Sequence, residues 1–170
     1  MKKLVAILCS VSLLMACTSC GGSANDGYNS KEAAAEAYYN IFFSNELSEW
    51  WRLMPDDCES SILEKRNLTE EQFRKKLENY YGDMSSNYKG KIDNFKVISS
   101  EEQDCTRLNR ILNNYGLDKA DKSYYVRISF VYENDGEKRD CDSFGFYIYK
   151  YKGKWYCENL FDAIILACSW

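Results

Sequence analysis

From Tyr124 to Leu160 apolar and polar positions alternate in a way that predicts three consecutive antiparallel β-strands joined by two short turns. In the first strand Val126, Ile128, Phe130 and Tyr132 are apolar while Arg127 and Ser129 interrupt the odd positions, the period-2 pattern of a half-buried strand. In the second, Phe144, Phe146 and Ile148 share one face, and Ser143, Gly145, Tyr147 and Tyr149 share the other. For both even-numbered faces to point into one core, paired residues must sum to an even number. That predicts a three-residue loop, Asn134-Asp135-Gly136, closed by Glu133 and Glu137, with Gly136 in the left-handed region. Lys152-Gly153 suits a two-residue hairpin, which sets Ile148 opposite Cys157 and Lys150 opposite Trp155. Cys157 and Trp155 then face inward and Cys141 faces outward, so a Cys141–Cys157 disulfide requires a bulge that flips one strand.

The residues before these strands carry helical spacing. A first helix is expected to begin at Asn29 or Ser30, with Glu32 closing a capping box on Asn29 and Ala34, Tyr38, Ile41 and Phe42 along its apolar stripe. A second carries Leu47, Trp50, Trp51 and Met54 and stops at Pro55. Adjacent tryptophans do not share one helix face fully, so one belongs in the core and the other at a rim, or both are half-buried. Thr69 and Gln72 form a capping box, with Leu68 stapled to Phe73, and the helix runs on through Leu77, Tyr80, Tyr81 and Met84. Ile92, Phe95, Val97 and Ile98 predict a strand between Tyr88 and Ser99, whose imperfect parity signals a bulge or double cover. Ser100 with Gln103 then opens a helix over Glu101 to Tyr115, ended by Gly116 and bearing Cys105 on its apolar side. Ala163 to Ala167 reads as a terminal segment packed on the sheet.

At the N-terminus Lys2 and Lys3 precede an apolar run, Leu4 to Ala16, that is too short to span a bilayer as a mature anchor and has the length of an export signal. Its closing residues, Leu14-Met15-Ala16-Cys17, resemble a bacterial lipobox. The resemblance implies cleavage before Cys17 and diacylglyceryl transfer to its thiol, with Cys20, preceded by Ser19, as the alternative. The resemblance thus implies a lipoprotein signal peptide over residues 1–16, a flexible tether of small and polar residues over 17–29, and one domain over 30–170, expected to be exported and held to the cell membrane outside the cytoplasm. The bilayer is the first expected partner, through acylated Cys17. Loss of the two signal lysines takes the formal charge from −4 to −6. That balance disfavours nucleic acid and gives no attraction to anionic lipid beyond the acyl chains. The chain has no histidine, which argues against His-based metal or acid/base chemistry. Cys58, Cys105, Cys141, Cys157 and Cys168, with Cys20 if it is not acylated, allow up to three bridges of unspecified connectivity. No metal site and no cofactor is expected, because the folded region has no Cys-x-x-Cys pair.

The element order resembles the NTF2-like (cystatin-like, cone-shaped α+β) superfamily, and within it small exported bacterial lipoproteins of unknown function. The features that carry the resemblance are the aromatic opening helix, Ala33 to Phe43, and the hairpin Tyr151-Lys152-Gly153-Lys154-Trp155-Tyr156. It implies N-terminal helices packed on a curved antiparallel sheet around a tapered space. Tyr38, Phe42, Trp50, Phe130, Phe144, Phe146 and Trp155 would line that space, and the same residues are those expected of a hydrophobic core. The favoured function is a non-enzymatic, membrane-tethered binding or accessory module for a small apolar ligand, a peptide or a partner protein. The alternative is an NTF2-like isomerase or hydrolase using a carboxylate and tyrosines. Asp142, at an even position near the start of the second strand, is the best located carboxylate for a base, and a strand-end Asp reaching solvent is the simpler account of it.

Overall fold

Lys152 and Gly153 both have positive φ, 48° and 82°, a mirror-image turn that matches the right-handed twist of the strands it joins. It pairs Ile148 with Cys157 and Lys150 with Trp155, the register expected from the sequence. The computed structural model describes residues 27–44, 47–85, 93–134 and 136–167. They form an α+β fold in the order α1 (Lys31–Ser44), a 3-10 helix (Leu47–Leu53), α2 (Asp56–Arg66), α3 (Glu70–Ser85), β1 (Asp93–Gln103), α4 (Thr106–Asn114), β2 (Lys122–Asn134), β3 (Glu137–Tyr151), β4 (Lys154–Cys157) and α5 (Asn159–Ala167). The strands make one antiparallel sheet, ordered β1-β2-β3-β4.

The β2–β3 connection differs from the three-residue loop. Asn134 pairs with Glu137, so the connection is two residues long, with Gly136 at φ 81°. This makes the pair sums odd near the turn, and a bulge then corrects the parity. Between the pairs Phe130↔Cys141 and Ile128↔Phe144, Ser129 is faced by both Asp142 and Ser143. Beyond the bulge the even faces align, and Val126, Ile128, Phe146 and Ile148 are buried together. The bulge also reverses Cys141, which lies opposite Phe130, half-buried against the core. Cys141 and Cys157 are nonetheless free thiols, as are Cys58 and Cys105, so none of the allowed bridges joins two of these four. Cys20 and Cys168 lie outside the described residues, as does Cys17.

Helix α1 lies on the even face of the sheet. Its cap is Ser30, whose Oγ accepts the Ala33 amide at 3.1 Å, rather than Asn29, whose side chain accepts from Lys154 Nζ at 2.9 Å. The segment read as tether is therefore docked at its end. Tyr28 exchanges two backbone hydrogen bonds with Trp155, at 3.0 and 2.9 Å, and so extends the sheet by one bridge beyond β4. The Thr69–Gln72 box forms as expected, each side chain accepting the other's backbone amide at 2.9 and 3.2 Å, and Phe73 beside it is fully buried. Trp50 is fully buried and Trp51 half-buried, which distributes the pair between core and rim.

Three stretches depart from the sequence reading. Helix α2 was not anticipated, since its apolar contribution is only Cys58 and Ile62. Strand β1 continues through Gln103 because Ser100 to Gln103 pair with Ser123 to Val126, and the Ser100–Gln103 cap is not made. Helix α4 starts instead after Asp104, whose carboxylate accepts the Thr106 amide at 2.6 Å. Last, the odd face of β3 is covered at its end. Tyr149 and Tyr151, with Tyr156 of β4, are buried there, and Phe161 of α5 packs on Tyr149 with ring centroids 6.2 Å apart. The described residues include no helix long and apolar enough to cross a membrane.

Candidate functional site

The space between α1 and the sheet is filled by rings. Helical spacing puts Tyr38 and Phe42 on one stripe and Tyr39 and Phe43 beside it, while the even positions of β2 and β3 supply Phe130, Phe144 and Phe146. Tyr38 meets Phe146 at 4.9 Å, Phe42 meets Phe144 at 4.9 Å and Phe43 meets Phe130 at 4.4 Å between centroids. These are the offset and edge-on separations of aromatic pairs in direct contact. Five of the seven residues expected to line a pocket, Tyr38, Phe42, Phe130, Phe144 and Phe146, are thus brought together, and they are brought together as core.

The other two lie elsewhere. Trp50 packs on Trp51 at 3.4 Å and on Phe73 at 5.2 Å, beneath the start of α3. Trp155 is half-buried at the β4 edge, 5.7 Å from Tyr124. Asp142 sits exposed on the bulge rather than inside. With Asn94, Lys96, Ser129 and Asp140 it borders a shallow surface groove across β1, β2 and β3. There the irregular start of β1, with Asn94 at φ 61°, adjoins the β2–β3 bulge.

The polar atoms buried near the core come from a different set. The Tyr81 hydroxyl faces that of Tyr38 without meeting full hydrogen-bond geometry, and the Cys157 thiol lies near both. Burial pushes all three groups well above their ordinary pKa values, and the amides of Asn159 and Leu160 at the start of α5 only partly offset this for the thiol. These groups stay protonated at neutral pH, as donors rather than bases or nucleophiles.

Among the described residues the buried carboxylate is Glu158, 4% exposed, and sequence reasoning missed it. Arg107 of α4 pairs with it at 3.2 Å and donates to both Asp162 carboxylate oxygens at 3.2 and 3.1 Å, which clasps α4 to α5. Burial raises the Glu158 pKa, Arg107 lowers it and Asp162 raises it further. The signal available was the Glu158–Asp162 spacing of four at a helix start, which stacks two carboxylates on one face and calls for a cation. On the odd face of the sheet Tyr125 lies across Gly145, where a Cβ would collide with its ring and hydroxyl, and Tyr147 stands 5.0 Å away. Both tyrosines are half-buried, beside exposed Arg127.

Comparison with protein-family models, with curated proteins and with solved structures gave no match.

Proposed function

We propose that this chain is an exported lipoprotein, tethered to the cell membrane through acylated Cys17 or alternatively Cys20, with an NTF2-like domain that acts as a non-enzymatic binding or accessory module. The observation that carries the choice of partner is the ring-on-ring packing of Tyr38, Phe42, Phe43, Phe130, Phe144 and Phe146. A space filled by its own side chains leaves little room for a small apolar ligand between α1 and the sheet. Recognition then belongs on the surface, and the partner is a protein or peptide. The Tyr125–Tyr147 pair suits that role, because tyrosines laid flat on a sheet offer apolar area at low side-chain entropy cost with hydroxyls for hydrogen bonds. The Gly145 gap that lets Tyr125 lie down supports the same reading.

The test is a photo-crosslinking amino acid at position 147 in cells expressing the full chain, with position 75 on the far helix as reference. A discrete protein adduct from position 147, lost in Tyr125→Ala, is the expected result. Adducts from neither position, or equally from both, would rule the surface out.

A further inference from the structure

The β4 edge gathers cations onto aromatic rings. Lys31 lies 4.3 Å over the Tyr124 ring, Arg52 4.5 Å over Tyr28, Lys150 5.7 Å over Trp155 and Lys152 5.0 Å over Tyr151. The patch is continuous. Lys122 pairs with Lys150 and Lys150 with Trp155 across three strands, the Tyr124 ring meets Trp155, and Tyr28 bridges to Trp155 from the other side. Carboxylates match two of these cations, Glu102 on Lys122 at 3.3 Å and Asp118 on Lys152 at 3.8 Å. Three others have neutral partners. Lys31 donates to the Ser100 hydroxyl, Lys154 donates to the Asn29 amide oxygen, and Lys150 rests on Trp155. No carboxylate among the described residues forms a salt bridge with them.

We propose that this patch is the face the domain turns toward an anionic bilayer, with Lys31 and Lys150 on lipid phosphates and Trp155 and Tyr124 at headgroup level, while Lys154, paired with Tyr151, projects from the opposite face; it rests on the reading of Cys17 as the anchor. Tyr28 is bonded to Trp155 within this patch, and Gly27 precedes it in the chain. Gly27 is ten positions after Cys17, so it stays within about 35 Å of the acylated sulfur. Trp and Tyr favour the headgroup region, and lysines are drawn to anionic leaflets over about a Debye length. Net acidity does not oppose this arrangement, because at that range the local charges decide the field and the acidic remainder can point away.

The experiment uses the lipidated full chain on vesicles of phosphatidylcholine with and without phosphatidylglycerol. A water-soluble amine-acylating reagent marks exposed lysines, read by mass spectrometry. Labelling of Lys31 and Lys150 is expected to fall roughly fivefold on anionic vesicles and to recover at about 1 M salt. Lys75 and Lys138 should not change. Lys150→Glu should leave the chain on the vesicles and abolish protection of Lys31. Equal labelling on both vesicle types, with the chain still sedimenting, overturns the inference and leaves the anchor intact. A chain that sediments with neither vesicle removes the anchor and the inference together. Protection by inorganic phosphate without vesicles would reassign the patch to a free anion and overturn it as well.

Discussion

Replacing Arg107 with Gln tests the clasp between α4 and α5 because it strands a carboxylate that the fold has already desolvated. Glu158 is 4% exposed, whereas the Arg107 side chain is 52% exposed, so the pair is neither a buried nor a surface salt bridge. At their separation of 3.2 Å, Coulomb's law gives about 1.3 kcal/mol in a water-like dielectric and about 5 kcal/mol at an effective value of 20. Solvent reaches the guanidinium, which discounts the upper figure, while the buried carboxylate keeps the loss above the ~1 kcal/mol ceiling of surface pairs. The expected loss is about 2 kcal/mol at neutral pH, about 6 °C in Tm for a domain of this size. Glu158 has its pKa raised in the fold, so the native state binds its proton more readily than the unfolded chain. The burial penalty is therefore absent below the unfolded carboxylate pKa and grows as pH rises through the folded value. Removing Arg107 raises that folded value further, since Arg107 is the group that lowers it. Urea unfolding followed by tryptophan fluorescence should show a deficit that is largest at pH 7.5 and shrinks toward pH 4.5. Glu158→Gln in the Arg107→Gln background should recover most of it. A deficit that is the same at both pH values, or unrelieved by Glu158→Gln, would refute the electrostatic account.

Phe146→Ala, which truncates a ring that is 1% exposed against Tyr38 and Phe144, should cost about 3–5 kcal/mol in denaturant melts; a loss below about 1 kcal/mol would mean that the space beside α1 is open rather than packed. Gly153→Ala meets no atom within 4 Å, so its expected cost of about 1–2 kcal/mol comes wholly from the left-handed backbone; no change in midpoint would contradict the turn geometry. Native-state alkylation should modify half-buried Cys105 and Cys141 well before Cys58 and Cys157, whose thiol pKa values burial raises; peptide mapping that finds Cys157 modified first would contradict the packing of β4.

Local chemistry was legible where it acts over a few residues. The Lys152-Gly153 turn fixes the β3–β4 register by its own dihedral angles, and the Thr69–Gln72 box closes within one helical turn. The alternation in β2 and β3 identified the α1-facing residues correctly. What escaped depends on partners distant in sequence. No composition marks the bulge at Asp142 and Ser143, yet it restores the parity that a two-residue connection breaks and turns Cys141 toward Phe130. Ser100 to Gln103 carry a helix-start pattern, but pairing with β2 gives their backbone groups partners that a helix N-terminus leaves unfilled. Tyr149 and Tyr156 look solvent-facing by alternation until α5 lays Phe161 on them. The Arg107–Glu158–Asp162 clasp joins residues about fifty positions apart, which no local pattern encodes.

Membrane tethering through Cys17 is decided at the N-terminus of the processed protein. Intact-mass and N-terminal peptide analysis of the full chain, recovered from the membranes of an expressing bacterium, should find a chain that begins at Cys17 with a diacylglyceryl group on its sulfur. Cys17→Ala should remain unprocessed while Cys20→Ala is unaffected. A chain that still begins at Met1 and fractionates with the cytoplasm would contradict it.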